Sequence, residues 1–150
     1  MDSGAHGKTW LRNRKVAGTI KNTFHFYDNV RYDLICYTIM PNHIHLIILP
    51  KIESYQYFLK KHISKGKSEK TFYFISKIMQ DIKKFTSNKS NKILNRTGKF
   101  WQSESYDHAI RNKKELKETV RYILNNPVKA GLCKTSEDWE WNYYNPKFLV

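Results

Sequence analysis

Between Tyr32 and Pro50 the chain reads YDLICYTIMPNHIHLIILP, two apolar runs rich in β-branched residues and parted by Pro41-Asn42. Such residues fit a pleated sheet, and Pro-Asn is turn chemistry. The stretch predicts a strand over 32–40, a tight turn and a second strand over 43–49, joined as an antiparallel hairpin. Side chains alternate along a strand. His43, His45, Ile47 and Leu49 therefore share one face, and Ile44, Leu46 and Ile48 the other. The two imidazoles stand side by side, roughly 7 Å apart at their bases. That spacing suits two ligands of one metal ion. Taken alone, the pair is more simply read as polar residues at a strand end, since a metal site needs a third protein group.

Helical periodicity flanks the hairpin. "WLRNRKVAGTIKNTFHFYD" (10–28) places Leu11, Val16, Ile20, Phe24 and Tyr27 near one face. Met1 to Gly7 is small and polar, and is expected to be loosely ordered. Lys51 to Lys70 reads as a variable, irregular or partly helical connection. Thr71 to Ser87 predicts a helix with Phe72, Ile75, Met79, Ile82 and Phe85 on its apolar stripe. "SNKSNKILNRTGK" (87–99) reads as a basic, turn-rich loop, and 100–110 as a short strand or turn. "NKKELKETVRYILNNP" (112–127) opens like a capping box at Asn112 and Glu115. Its stripe is Leu116, Val120, Ile123 and Leu124, and Pro127 is expected to stop it, because a residue before proline avoids the α region. The aromatic tail "DWEWNYYNPKFLV" is expected to pack back on the body. No repeat is visible, and 1–150 reads as one domain.

The last helix offers a partner for the histidines. Tyr122 points about 140° away from the apolar stripe, and Asn126 sits one turn further along the same side. A phenol and an amide thus face one direction near a helix end. Each has an ordinary explanation: a boundary tyrosine, and an asparagine at a helix stop. Together they suggest a site. His43, His45 and the Asn126 amide oxygen form a set suited to Mg²⁺ or Mn²⁺, which would polarise a phosphate. Tyr122 would attack the phosphorus and hold it covalently.

Charge points to a polyanion. The chain has 27 Lys plus Arg against 13 Asp plus Glu, a net +14. Phosphate attraction and counterion release make nucleic acid the favoured partner. No apolar run approaches the roughly 20 residues of a bilayer span, and no signal peptide is visible. Cys36 and Cys133 lie far apart without a CxxC pattern and read as thiols in a reducing compartment. These features predict a cytoplasmic protein with no membrane association.

"YTIMPNHIHLII" resembles the His-hydrophobic-His signature of the HUH single-tyrosine transposases. "GKFWQSESYDHAIRNKKELKETVRYILNNPVKAGLCKTSEDWEW" is similar, nearly along its length, to the REP-associated tyrosine transposases, with Trp101-Gln102, Asp107 to Arg111, Tyr122 and "NNPVKAGL" as its marks. "IMQDIKKFTS" resembles that family's basic helix. The likeness runs from about Trp10 to Trp141. It implies an α+β fold, a central antiparallel sheet with helices packed on it, of the HUH-nuclease, ferredoxin-like or RRM-like kind. It implies single-stranded DNA near a hairpin as substrate, Tyr122 as nucleophile and His43, His45 and Asn126 as metal ligands. Cleavage would leave a 5′-phosphotyrosine and a free 3′-OH, without ATP or a small-molecule cofactor. The chain starts close to the point where family members have already formed a first strand, so that strand is expected to be missing. Monomer and homodimer both stay open. A non-catalytic nucleic-acid-binding module of the same fold is the alternative.

Lys77, Lys83 and Lys84 on the basic helix, and Lys89, Lys92, Arg96 and Lys99 in the loop after it, are candidates for DNA-backbone contact; the resemblance adds Arg111. Trp101, Tyr106 and His108 are candidates for stacking on unpaired bases. Glu115 and Glu118 lie near Tyr122 on the wheel, as proton partners or salt bridges. His6, His25 and His62 carry no partner pattern.

Overall fold

The computed structural model describes residues 8–61, 67–102 and 109–150. The expectations for Met1 to Gly7, His6, His62, Tyr106 and His108 lie outside the described residues. Three strands form one antiparallel sheet in the order β2-β1-β3: β1 is Tyr32–Ile39, β2 is Ile44–Pro50 and β3 is Asn142–Tyr144. The predicted α+β class and the hairpin are borne out. His43 ends the turn instead of opening the strand, because Met40 N–H donates to the His43 carbonyl at 2.8 Å and closes the turn there.

The register of the hairpin has one irregularity. Leu34 pairs with Ile48 and Cys36 with Ile47, so Ile35 is extra. Such a bulge lets two successive side chains face the same way. Tyr32, Leu34, Tyr37 and Ile39 pack into one core with Ile44, while Ile35 and Cys36 join Ile47 in a second core on the other face. The spare carbonyl of Ile35 accepts from the Asn145 N–H at 2.8 Å, which ties the C-terminal segment to the bulge.

Helices cover both faces. The α1 helix, Arg14–Tyr27, is capped by Asn13, whose side-chain oxygen accepts from the N–H groups of Lys15 and Val16. That cap divides the helix expected over 10–28, leaving Trp10–Arg12 as a single 3-10 turn. Val16, Ala17, Ile20 and Phe24 are buried against the first face. There His25 meets the Tyr37 hydroxyl at 3.1 Å, and burial lowers its pKa.

The connection over 51–70, expected to be irregular or partly helical, is helical over much of its described length: α2 is Ile52–Lys61, and α3 begins at Lys67 and runs to Ile93. The first seven residues of the predicted basic loop are thus the last turns of α3. Its buried ridge is Phe74, Ile78, Ile82, Thr86 and Ser90, spaced by four, as ridge packing favours. Phe85 lies off that ridge and is exposed, with the Lys89 ammonium 5.7 Å from its ring. Thr86 stays buried because its hydroxyl donates to the Ile82 carbonyl and accepts from the Trp101 indole N–H.

The α4 helix, Lys113–Lys129, lies on the second face with Val120 and Ile123 buried beside Ile35, Cys36 and Ile47. The predicted start is borne out: Asn112 caps the Glu115 N–H, and the Glu115 carboxylate accepts from the Arg111 N–H at 3.0 Å. Pro127 does not stop the helix; it is buried within the last turn. With no N–H, the proline forfeits the helical bond to the carbonyl four residues back, one bond lost in exchange for its burial. Gly131 terminates α4 instead. Its φ of +75° lets Gly131 N–H reach the Val128 carbonyl and Leu132 N–H the Pro127 carbonyl, the paired bonds of a Schellman ending.

Asp81 joins α3 to the turn after α1. Its carboxylate accepts from Arg31 at 2.7 Å and from Lys77 at 2.9 Å. Partial burial works to raise its pKa, but those two cations outweigh it and hold the carboxyl below the usual range. A depressed carboxylate stabilises the fold above its unfolded pKa and loses that contribution as pH falls through its folded pKa. Asp81→Asn is expected to cost about 1–3 kcal/mol near neutrality. The difference in melting temperature from the parent should vanish in acid, below the ordinary carboxylate range. A pH series of thermal melts checks this; a gap that persists there overturns it.

Candidate functional site

The hairpin turn and α4 meet at the histidines. His45 pairs with Thr38 across the sheet, on the face that packs against α4, and is only 5% exposed. The rings of His43 and His45 lie 4.9 Å apart, nearly perpendicular. From α4, the Asn126 side-chain amide comes within 3.3 Å of His45 Nε2. Tyr122, one turn earlier, brings its ring to 6.1 Å from the His45 ring and is 53% exposed. The four residues singled out for catalysis and metal binding are therefore neighbours, although 81 positions separate His45 from Asn126.

Two features bear on whether a divalent ion fits. Donor atoms of neighbouring ligands on one ion, each bonded at about 2.1 Å, stand about 3 Å apart. His45 Nε2 and the Asn126 amide have that separation, and rotating the amide by half a turn puts its oxygen at the same place. His43 Nδ1 lies 2.7 Å from the Asn42 side-chain oxygen. With that oxygen accepting, His43 is the tautomer protonated on Nδ1 with its lone pair on Nε2; the reversed amide would give the other tautomer. The first is the arrangement a histidine ligating through Nε2 needs. Two imidazole nitrogens and an amide oxygen would offer a mixed donor set to one divalent ion; of Mg²⁺ and Mn²⁺, the imidazoles favour the softer Mn²⁺. Among the described residues no group of three His, Cys, Asp or Glu offers another metal site.

Two neighbours escaped the sequence reading. In the sequence Asn42 reads only as a turn residue. Lys129 Nζ lies 5.7 Å from the Tyr122 ring centre. Lys129 was legible in principle, since seven residues are two helical turns and return to the same side. Glu115 is engaged in the α4 cap, and Glu118 is exposed.

The basic residues separate into groups. Lys83, Lys84, Lys99 and Trp101 line one cleft of about 610 Å³ along α3. Lys77 is held by Asp81. Arg96 is committed to the structure: its guanidinium donates to the Asn91 side chain and the Lys99 carbonyl, and covers the Trp10 ring at 3.9 Å. Lys89 and Lys92 are exposed on the final turns of α3, and Arg111 is exposed before α4. Phe100, which lines the cleft, stacks on Trp10 at 5.4 Å, and Leu11 N–H donates to the carbonyl of Pro41 in the hairpin turn. Cys36 is free and buried, its thiol pushed up to about 12, and Cys133 is also free. No helix among the described residues is long and apolar enough to cross a membrane.

No protein-family model matches the chain. It is 27% identical over 115 residues to a Haemophilus influenzae protein provisionally named a REP-associated tyrosine transposase, covering 76% of this chain and 60% of that protein. It is 42% identical over 45 residues to the REP-associated tyrosine transposase of Escherichia coli, 30% of this chain and 27% of that protein. The chain thus spans less than two thirds of the length of the curated relatives it matches. Among solved structures, a REP-associated tyrosine transposase bound to a REP hairpin superposes with a TM-score of 0.62 at 22% identity, over 93% of this chain and 70% of that one. In sequence the chain resembles the REP-associated tyrosine transposases, and it has the fold of one of them.

Proposed function

We propose that this protein cleaves and rejoins single-stranded DNA beside hairpins, as a single-tyrosine transposase, through a covalent 5′-phosphotyrosine. The observation that carries this reading is the convergence of His45, Asn126 and Tyr122 from two distant parts of the chain on one partly open spot. The names of its relatives and the REP hairpin held by its structural neighbour support the same class of substrate.

His43, His45 and Asn126 would hold a divalent ion, Mg²⁺ or Mn²⁺, which when bound supplies Lewis-acid polarisation of the scissile phosphate. Tyr122 does the bond chemistry. Its Oη forms a bond to phosphorus, the bond to the 3′-oxygen breaks, and the departing oxygen takes up a proton to become a 3′-OH. The Tyr122 proton passes to solvent. The step is reversible, because the phosphodiester energy is kept in the phosphotyrosine. A 3′-OH, the same or another, attacks the phosphorus and releases the phenol. Exposure of Tyr122 lets the strand approach, and Lys129 places a cation where phosphate charge gathers. The α3 cleft with Lys83, Lys84, Lys99 and Trp101 takes the DNA backbone. Two free cysteines and the DNA substrate proposed here support a cytoplasmic location.

A denaturing gel of the protein with a labelled hairpin-bearing single strand and Mn²⁺ tests the reading. A covalent protein–DNA band is expected. Binding without the band would instead select the non-catalytic module. Tyr122→Phe removes the attacking oxygen and little volume, so the band should disappear while DNA binding stays near that of the parent. A band of parental intensity would move the nucleophile elsewhere.

The assignment of Asn126 has its own test. Asn126→Ala should raise the Mn²⁺ concentration needed for cleavage, and Asn126→Asp should lower it by adding charge to a hard-ion site. A purely structural asparagine predicts altered melting temperatures in both variants with unchanged metal demand.

Binding should also weaken steeply with salt, because phosphate neutralisation supplies much of the affinity. Substituting both Lys83 and Lys84 with Ala should reduce the slope of log K against log salt by up to about two units. An unchanged slope would exclude the α3 cleft as the backbone path.

A further inference from the structure

A second cleft, of about 490 Å³, lies on the other side of the sheet, between α4 and the C-terminal segment. Lys117, Arg121 and Leu124 form its helical wall, and Glu137, Trp139 and Tyr144 face them. None of these residues belongs to the site described above, but Arg121 is the immediate neighbour of Tyr122 in the chain.

The cleft is built by fixed elements. The Asn142 amide donates to the carbonyls of Leu124 at 2.9 Å and Ser136 at 3.0 Å, joining α4 to the segment. The Trp139 indole N–H donates to the Ile39 carbonyl at 3.2 Å, anchoring that wall to β1. Tyr144 ends β3 and stays 47% exposed. Lys117 and Arg121 are one helical turn apart and both exposed. Among the described residues neither forms an ion pair or a side-chain hydrogen bond, so nothing there neutralises them. Two cations against the single Glu137 carboxylate favour an anion, and the aromatic wall favours a flat ring. Together they match a nucleotide whose base is not paired, since only an unpaired base offers a whole face for stacking.

We propose that this cleft seats unpaired nucleotides of the strand whose phosphate Tyr122 attacks, a base lying against Tyr144 and the phosphates on Lys117 and Arg121. This rests on the function proposed above. The strand would then cross α4 from Tyr122 past Arg121, on the face opposite the α3 cleft, so that the two clefts contact different parts of one DNA.

The test is fluorescence anisotropy with a short labelled thymidine oligomer and with a blunt hairpin that has no unpaired flank. Tyr144→Ala should bind the oligomer about tenfold more weakly, while Tyr144→Phe, which keeps the ring, should bind like the parent. Replacing both Lys117 and Arg121 by Gln should lower the oligomer's salt slope by about 1.4, at roughly 0.7 per cation on a single strand. Hairpin binding should be unaffected in all of these variants. Melting temperatures and the Tyr144→Phe control separate a lost contact from a lost fold. Unchanged oligomer binding in Tyr144→Ala, or equal losses on oligomer and hairpin, would overturn the proposal. Failure of the functional reading itself looks different, because the unmodified protein would then form no covalent band with the hairpin-bearing strand, whatever its binding of the oligomer.

Discussion

The register of β1 against β2 governs the rest of this molecule. Leu34 opposite Ile48, then Cys36 opposite Ile47, leaves Ile35 unpaired and turns both Ile35 and Cys36 towards α4. A slip of one residue would invert every side chain beyond it. Tyr37 and Ile39 would leave the core they share with Phe24 and Ile78, and His45 would rotate away from α4. The bulge is also where the C-terminal segment attaches, through Asn145 N–H on the Ile35 carbonyl. One irregular residue thus sets which face carries the histidines and where the chain closes over it.

Around that register the two faces of the sheet have separate tasks. The α1 and α3 face holds the larger apolar core and, on its outer side, a lysine-lined cleft. The α4 face holds a smaller core and the polar site. Packing α4 through Val120 and Ile123 leaves Tyr122 turned outward. The helix therefore turns Tyr122, the proposed nucleophile, outward by burying the residues beside it. Pro127 and Gly131 finish α4 one turn beyond Asn126, so the amide sits near the end of a rigid element, which favours fixed geometry at a site.

Much of the basic charge is also structural. Arg96 holds the segment around Gly98 and Lys99 against Trp10 and Asn91, and Arg31 and Lys77 converge on Asp81. Cations with several donors can both brace a fold and face a polyanion. That is why net charge points to a polyanion but does not tell which cations would meet it.

By itself the sequence determined the hairpin, the start of α4 and the outward set of Tyr122 and Asn126, because alternation, capping and the helical period are local rules. Through family resemblance it also points to His43, His45, Asn126 and Tyr122, which the fold brings close together. Only the tertiary structure decided what depends on contacts between remote segments. The bulge at Ile35 is such a feature, since pairing with β2 and Asn145 makes it, and no period in YDLICYTI announces it. The extension of α3 into the supposed loop is another: Ser90 and Ile93 pack where polar composition alone suggested a turn. Pro127 inside α4 is a third, because burial and the Gly131 ending outweighed the local preference of the residue before it. The approach of Asn126 to His45 belongs to the same class, for it exists only when β2 and α4 share one face of the sheet.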